Sequence, residues 1–243
     1  MFINYRVRPR FYIRFSLPIH PFLFIGFLLV SPLLLFVFLV LISIGLEPII
    51  ALTLTLGSLL TSYVNIVIAE VTFYEPLTPL IEFMKLLPIP IIVQRVDKLF
   101  IELNVGGAVI PIITSIYLIL TYLVDNAAVI AFLIISLIIA SIINWLGSRI
   151  VPGIGITLPV ALPVSLTLIF TLIAVALLHV NPLGFSYSLG SLSTLIGADI
   201  LNMGRIVRLM RGHVSIGGAG VFDGIYITGL TSLILASLYK VLL

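Results

Sequence analysis

Residues 127–146 read AAVIAFLIISLIIASIINWL, twenty positions with no charged side chain. As an α-helix rising about 1.5 Å per residue, such a run matches the roughly 30 Å hydrocarbon layer of a bilayer. The rest of the chain has the same character. Of 243 residues, 61% are hydrophobic and 9% are charged, and mean hydropathy is +1.36. A soluble domain carries about 25% charged residues. The polar surface is too small to solvate a globule, so the expected solvent is lipid.

Working outward from that run, apolar stretches predict further helices over Phe22–Leu46, Ile49–Ala69, Val105–Leu123, Pro159–Val180, Phe185–Leu201 and Gly217–Tyr239. The fold class is therefore an all-α membrane protein of about seven transmembrane helices. Arg6, Arg8, Arg10 and Arg14 precede the first span with no acid among them, which places the N-terminus in the cytoplasm. Alternation then puts connections 70–104, 147–158 and 202–216 on the same side, with Lys85, Arg95, Lys98, Arg149, Arg205, Arg208 and Arg211, leaving only Lys240 outside. The expected location is the cell (inner or plasma) membrane, multi-pass. The first span has no small-residue cleavage site behind it and reads as a signal anchor. Residues 1–21 interleave arginines with Phe2, Tyr5, Phe11, Tyr12 and Phe15. Despite a pI near 9.3, this pattern reads as an interfacial segment against lipid headgroups and not as a nucleic-acid arm. Within 70–104, Ile91–Val96 and Leu99–Leu103 flank Asp97-Lys98 in rough alternation and predict a small cytoplasmic β-hairpin.

Two patterns recur. Gly57-Ser58-Leu59-Leu60-Thr61 returns as Gly190-Ser191-Leu192-Ser193-Thr194, and Leu103-Asn104-Val105-Gly106-Gly107-Ala108 returns as Val214-Ser215-Ile216-Gly217-Gly218-Ala219. The reading is two parallel pseudo-repeats of three helices, residues 22–123 and 159–240, separated by a spacer helix at 127–146. The halves differ in charge: Asn65 and Pro111 stand near the positions where the second half has Asp199 and Asp223.

With no cysteine and only His20, His179 and His213, thiolate chemistry is excluded, and no metal or cofactor is expected. Seven of the nine acids are expected in loops or at helix ends, in reach of water; Asp199 and Asp223 alone are embedded in apolar runs. A carboxylate at membrane depth costs about 2.5–3.5 kcal/mol on insertion scales, which makes such residues functional candidates. Gly197, Gly217, Gly218, Gly220 and Gly224 around them permit close backbone approach. Two carboxyls in one desolvated site share a proton and supply a general acid and a general base. The same pair suits ion or proton coupling in a transporter, and Arg205, Arg208 or Arg211 could pair with it in a non-catalytic scaffold. Of the three, a protease-like acid–base pair at the cytoplasmic side is the reading taken first, with coupled transport and a scaffold as its alternatives.

The glycine turn followed by an aspartate on an outward helix, opposite an aspartate on the preceding inward helix, resembles the intramembrane aspartyl proteases (presenilin, signal peptide peptidase and prepilin peptidase). That resemblance implies catalysis by Asp199 and Asp223 on a transmembrane peptide. It also implies substrate binding at Ala161-Leu162-Pro163, which resembles the Pro-Ala-Leu segment of presenilin-like members. Here Asp223 follows Gly220 by three residues instead of one, and Ala161–Pro163 precedes the aspartates instead of following them. A second resemblance spans most of residues 50–230. Asn104-x-Gly106-Gly107-Ala108-x-Ile110-Pro111, Gly197-Ala198-Asp199 and Gly217-Gly218-Ala219-Gly220-x-Phe222-Asp223-Gly224-Ile225 are similar to a prokaryotic family of multi-pass membrane proteins of unknown function (DUF1614). It implies membrane localisation and no particular activity.

Overall fold

The computed structural model describes residues 4–16, 34–43, 45–76, 94–151, 155–218 and 224–242. In chain order the helices are α1 (Leu34–Ser43), α2 (Pro48–Thr61), α3 (Val105–Tyr122), α4 (Ala127–Gly147), α5 (Ala161–Leu178), α6 (Pro182–Thr194, prolonged by a π turn over Leu195–Ile200), α7 (Met203–Leu209) and α8 (Gly224–Leu242). Asparagines set several of these starts. The side chains of Asn104, Asn126 and Asn181 accept hydrogen bonds from backbone N–H groups in the first turns of α3, α4 and α6. Helices α3, α4 and α5 are long and apolar enough to cross a bilayer, the mark of a membrane protein.

Their faces are sorted for lipid. Helix α4 buries Ser136, Ala140, Ser141 and Asn144 while exposing Ile134, Ile135, Ile138 and Ile142. Small and hydroxylated residues go inward because close backbone packing, and not apolar burial, joins helices in hydrocarbon. Helix α6 is the hub. Of Pro182–Thr194 only Leu192 is less than fully buried, and α3, α4, α5 and α8 surround it. Leu183 and Tyr187 pack toward α1, α2 and α3, while Phe185 and Leu189 pack toward α4 and α5.

The sheet is larger than the composition implies. Strands β1 (Asn4–Phe15), β2 (Val64–Pro76), β3 (Gln94–Asn104), β4 (Arg149–Val151), β5 (Gly155–Thr157) and β6 (Gly212–Ile216) form a four-stranded sheet in the order β1-β2-β3-β6 and a β4-β5 hairpin. The first three strands run antiparallel to their neighbours and β6 is parallel to β3. One face is apolar: Val71, Phe73, Leu99, Ile101 and Ile216 pack against Ile206 of α7 and against Met210. The other carries Glu70, Lys98, Phe100, Glu102, Asn104, His213 and Ser215.

Several expectations change here. The chain is not all-α with a small hairpin. Asp97-Lys98 is no turn, because it lies inside β3, opposite Phe73 and Thr72; Ile91–Val93 of the expected hairpin lie outside the described residues. Alternation alone placed a turn where the charged pair merely continues the strand. The span expected over Ile49–Ala69 is shorter: α2 ends at Thr61, and Val64–Ala69 belongs to β2. A short apolar run fits a strand or a helix equally well. Residues 4–15 of the arginine-rich N-terminus form strand β1, and residues 22–33 of the first expected span lie outside the described residues. Pairing of β1 with β2 and of β3 with β6 gathers these four segments at one end of the helices.

Candidate functional site

Where the sheet meets the helices there is a cavity of about 330 Å³. Its wall is built from Arg14 and Ser16 at the end of β1, Asn65 on β2, Glu102 on β3, Gly155 and Ile156 on β5, Asp199 in the π turn of α6, Met210 before β6, His213, Val214 and Ser215 on β6, and Gly217 and Gly218 in the turn after it. Residues expected from both halves of the chain therefore share one cavity.

Glu102 is its most deeply buried charge, at 1% exposure. Its Oε1 takes a 2.6 Å contact from Arg14 Nη1 and a second from His213 Nδ1. Phe100 stacks on the imidazole with ring centroids 4.8 Å apart. Beside this ion pair runs a neutral chain. Ser215 Oγ donates to Asn65 Oδ1 at 2.7 Å, Asn104 Nδ2 donates to the same oxygen at 3.0 Å, and Asn65 Nδ2 donates to Ser16 Oγ at 2.9 Å. Asn104 Oδ1 also accepts from Gly107 N. The chain thus ties all four strands of the sheet to the start of α3.

One row away on the same sheet face, Glu70 bonds Lys98 Nζ at 2.8 Å and Arg10 Nε at 3.0 Å. The Lys98 hydrogen bond, with help from Arg10, holds its carboxyl below the ordinary range against the opposing effect of burial.

The glycine turns locate the floor. Gly217 has φ +70, in the left-handed region that glycine adopts freely, and a Cβ there would stand 2.7 Å from both Cβ and N of Ala108. The Gly217-Gly218 turn thus rests on the Gly106-Gly107-Ala108 segment. A Cβ on Gly106 would in turn stand 2.1 Å from Ser58 O, so the start of α3 is clamped between α2 on one side and the turn after β6 on the other. Asn202 fixes the other wall. Its Nδ2 donates to Ser148 Oγ at 2.7 Å and to Ala198 O at 2.8 Å, closing the π turn that carries Asp199.

Of the residues singled out in the sequence, Asp199, Asn65, Gly217 and Gly218 line the cavity. Gly197 packs instead on α4, against Ser141 O and Asn144. Gly224 opens α8, and Pro111 is buried in α3 just after its opening π turn Val105–Val109. Ala161, Leu162 and Pro163 begin α5 and do not belong to the cavity's lining; Leu162 lies over Gly147. Asp223 and Gly220 lie outside the described residues. Arg205 stacks over Trp145 and Arg211 over Phe73, at 5.0 Å and 3.7 Å from the ring centroids. The expectation that acids other than the two aspartates sit within reach of water fails for Glu70 and Glu102, which are buried in the sheet. Glu102, His213 and Arg14 are the site residues that the sequence did not reveal. The signal was a charged residue in strict alternation with Ile101 and Leu103.

No curated protein and no solved structure matches the chain, so the likeness to aspartyl proteases rests on the quoted residues alone. The pattern of the family described as protein of unknown function DUF1614 matches residues 59–235, which take in α3 to α7, most of the sheet and every described residue of the cavity except Arg14 and Ser16. The chain belongs to the DUF1614 family of proteins of unknown function.

Proposed function

We propose that the chain is a multi-pass protein of the cell membrane that exchanges a proton for a monovalent cation at Asp199. The observation that carries this reading is the make-up of the cavity. Asp199 lines it together with the Arg14–Glu102 ion pair and the neutral oxygens of Ser16, Asn65 and Ser215, the oxygen donors that a monovalent cation takes. A carboxylate at the edge of the hydrocarbon layer binds either a proton or a cation, and competition between the two is the elementary step of exchange. Walls drawn from two similar halves of the chain suit alternating access around such a carboxylate. Under the positive-inside rule the sheet end, with Arg6, Arg8, Arg10, Arg14, Lys98 and Arg149, is cytoplasmic. Strand β1 exposes Phe11, Ile13 and Phe15 there, as a partner for the bilayer surface.

The test uses purified protein in liposomes loaded with the pH dye pyranine and made acidic inside. External NaCl or KCl is expected to alkalinise the lumen with wild type and not with Asp199→Asn. Wild-type vesicles that respond no faster than protein-free ones would overturn the reading.

One observation favours a second reading, intramembrane aspartyl proteolysis. Asp199 and the Gly217-Gly218 turn, six and five residues before Asp223 in sequence, line the same cavity, and β6, an edge strand among the described residues, offers its backbone to an extended peptide. Asp199 and Asp223 then act as acid and base on a transmembrane peptide. Cleavage of such a peptide that is lost in both Asp199→Ala and Asp223→Ala supports this reading; no cleavage by wild type removes it.

A further inference from the structure

Histidine is the side chain that gains and loses a proton near neutral pH, and His213 lines the same cavity as Asp199. Its Nδ1 contacts Oε1 of Glu102, a carboxylate 1% exposed on its side chain. An ionised carboxylate only accepts, so in the neutral ring the proton sits on Nδ1 and the lone pair on Nε2. Phe100, stacked with ring centroids 4.8 Å apart, fixes the plane of the imidazole. The imidazole is 42% exposed, and Nε2 has no hydrogen-bond partner among the described residues. With a buried acid at one nitrogen and open space at the other, an imidazole takes up a proton at the open nitrogen and the acid stabilises the charge that forms. Glu102 on β3 faces the ring directly, and Arg14 on β1 contacts that same carboxylate. Asp199 lines the cavity from the π turn of α6, and Lys98 on β3 is engaged by Glu70. At about 330 Å³ the cavity has room for several waters of about 30 Å³ each, so water can bridge His213 to Asp199 within it.

We propose that His213 is the proton relay of the exchange site, taking protons from water at the sheet end and passing them through cavity water to Asp199. The inference rests on the exchange reading and names the group that loads its carboxylate. A hydronium ion gives a proton to the Nε2 lone pair, which forms an N–H bond and leaves water. The imidazolium, stabilised by Glu102, gives that proton to a cavity water, and the water passes one of its own to the Asp199 carboxylate. The O–H bond formed at Asp199 replaces the N–H bond broken at His213, the ring returns to neutral, and the cation held by the carboxylate is released. Glu102 acts through the ring, as a positioning residue.

A relay sets the speed of proton delivery and not the affinity for the cation. In the pyranine assay, His213→Gln should lower the maximal rate of cation-driven alkalinisation about tenfold or more. The NaCl concentration that half-saturates the rate should stay within about twofold, since the relay does not hold the cation. His213→Arg keeps a cation against Glu102 but does not release its proton near neutral pH, so it should be slowed as much. Elution volume checks that both variants fold. In wild type the maximal rate should follow one ionisation between roughly pH 5 and 8, absent from the residual rate of His213→Gln. A flat wild-type profile over that range, or a wild-type maximal rate in either variant, would overturn the relay. Recovery in His213→Arg alone would make His213 a support for Glu102 and nothing more. If exchange is still lost in Asp199→Asn, the exchange reading survives each of these results. No exchange by wild type overturns both.

Discussion

Arg14 Nη1 stands 2.6 Å from Oε1 of Glu102 and joins residues 88 positions apart, from the first strand to the third. Because Glu102 is 1% exposed on its side chain and Arg14 34%, the two ends of this pair differ in what their loss should cost. Glu102→Gln removes the carboxylate that Arg14 and His213 both contact. Removing one member of a buried pair costs about 3–5 kcal/mol, and the exposure of Arg14 to water reduces that to about 1–3 kcal/mol. Arg14→Met should cost less than a full buried pair too, but more than Arg10→Met, since Arg10 is 51% exposed and Glu70 keeps Lys98. Melting of the four proteins in one detergent gives the ranking; equal values for Arg14→Met and Arg10→Met would contradict it.

Gly217→Ala and Gly212→Ala separate backbone strain from contact. Both glycines have positive φ, +70 and +83, but a Cβ on Gly212 meets nothing within 4 Å, whereas one on Gly217 meets Ala108. The conformational term is about 1–2 kcal/mol per non-glycine residue in the left-handed region. Gly212→Ala should cost about that, and Gly217→Ala visibly more, read as the larger fall in Tm.

The lowered pKa of Glu70 makes the sheet acid-sensitive. A carboxyl whose folded pKa lies below its unfolded value contributes stability that is fully present above the unfolded value and is lost as pH falls through the folded one. From the ordinary carboxylate value of 4.5 downward, wild-type Tm should therefore fall. Glu70→Gln should be less stable at neutral pH and should show a shallower decline in that acid window. Parallel curves for the two proteins would exclude Glu70 as the source.

The sorting of helix faces predicts an inverted pattern of tolerance. Ser136 is fully buried in α4 and Ile138 is 55% exposed. Ser136→Leu inserts bulk into a close helix contact and should cost about 1–3 kcal/mol. Ile138→Leu on the lipid face should stay within about 0.5 kcal/mol. Detergent melting of both variants checks the difference, which a water-soluble core would reverse.

What could be read in advance follows from where each signal resides. Helices α3, α4 and α5 were legible because twenty or so apolar residues admit little besides a span. The sheet was not. Val64–Ala69 is as apolar as the helix before it, and Asp97-Lys98 looks like a turn until Thr72 and Phe73 are known to pair with it. Asp199 stood out because a carboxylate between Ala198 and Ile200 is conspicuous in any apolar run. Glu102 and His213 stood out less, since their meeting depends on β3 and β6 becoming neighbours across 111 residues of chain. Pairings of that kind belong to topology, and no local window contains them.

The mixed sheet also constrains how the chain is made. Strand β1 pairs with β2, which follows α2, and β3 pairs with β6, which follows α7. The last strand can dock only after α3 to α7 have been made, so until then β3 carries an open edge of unpaired N–H and C=O groups. Closure of the sheet is therefore a late event in folding.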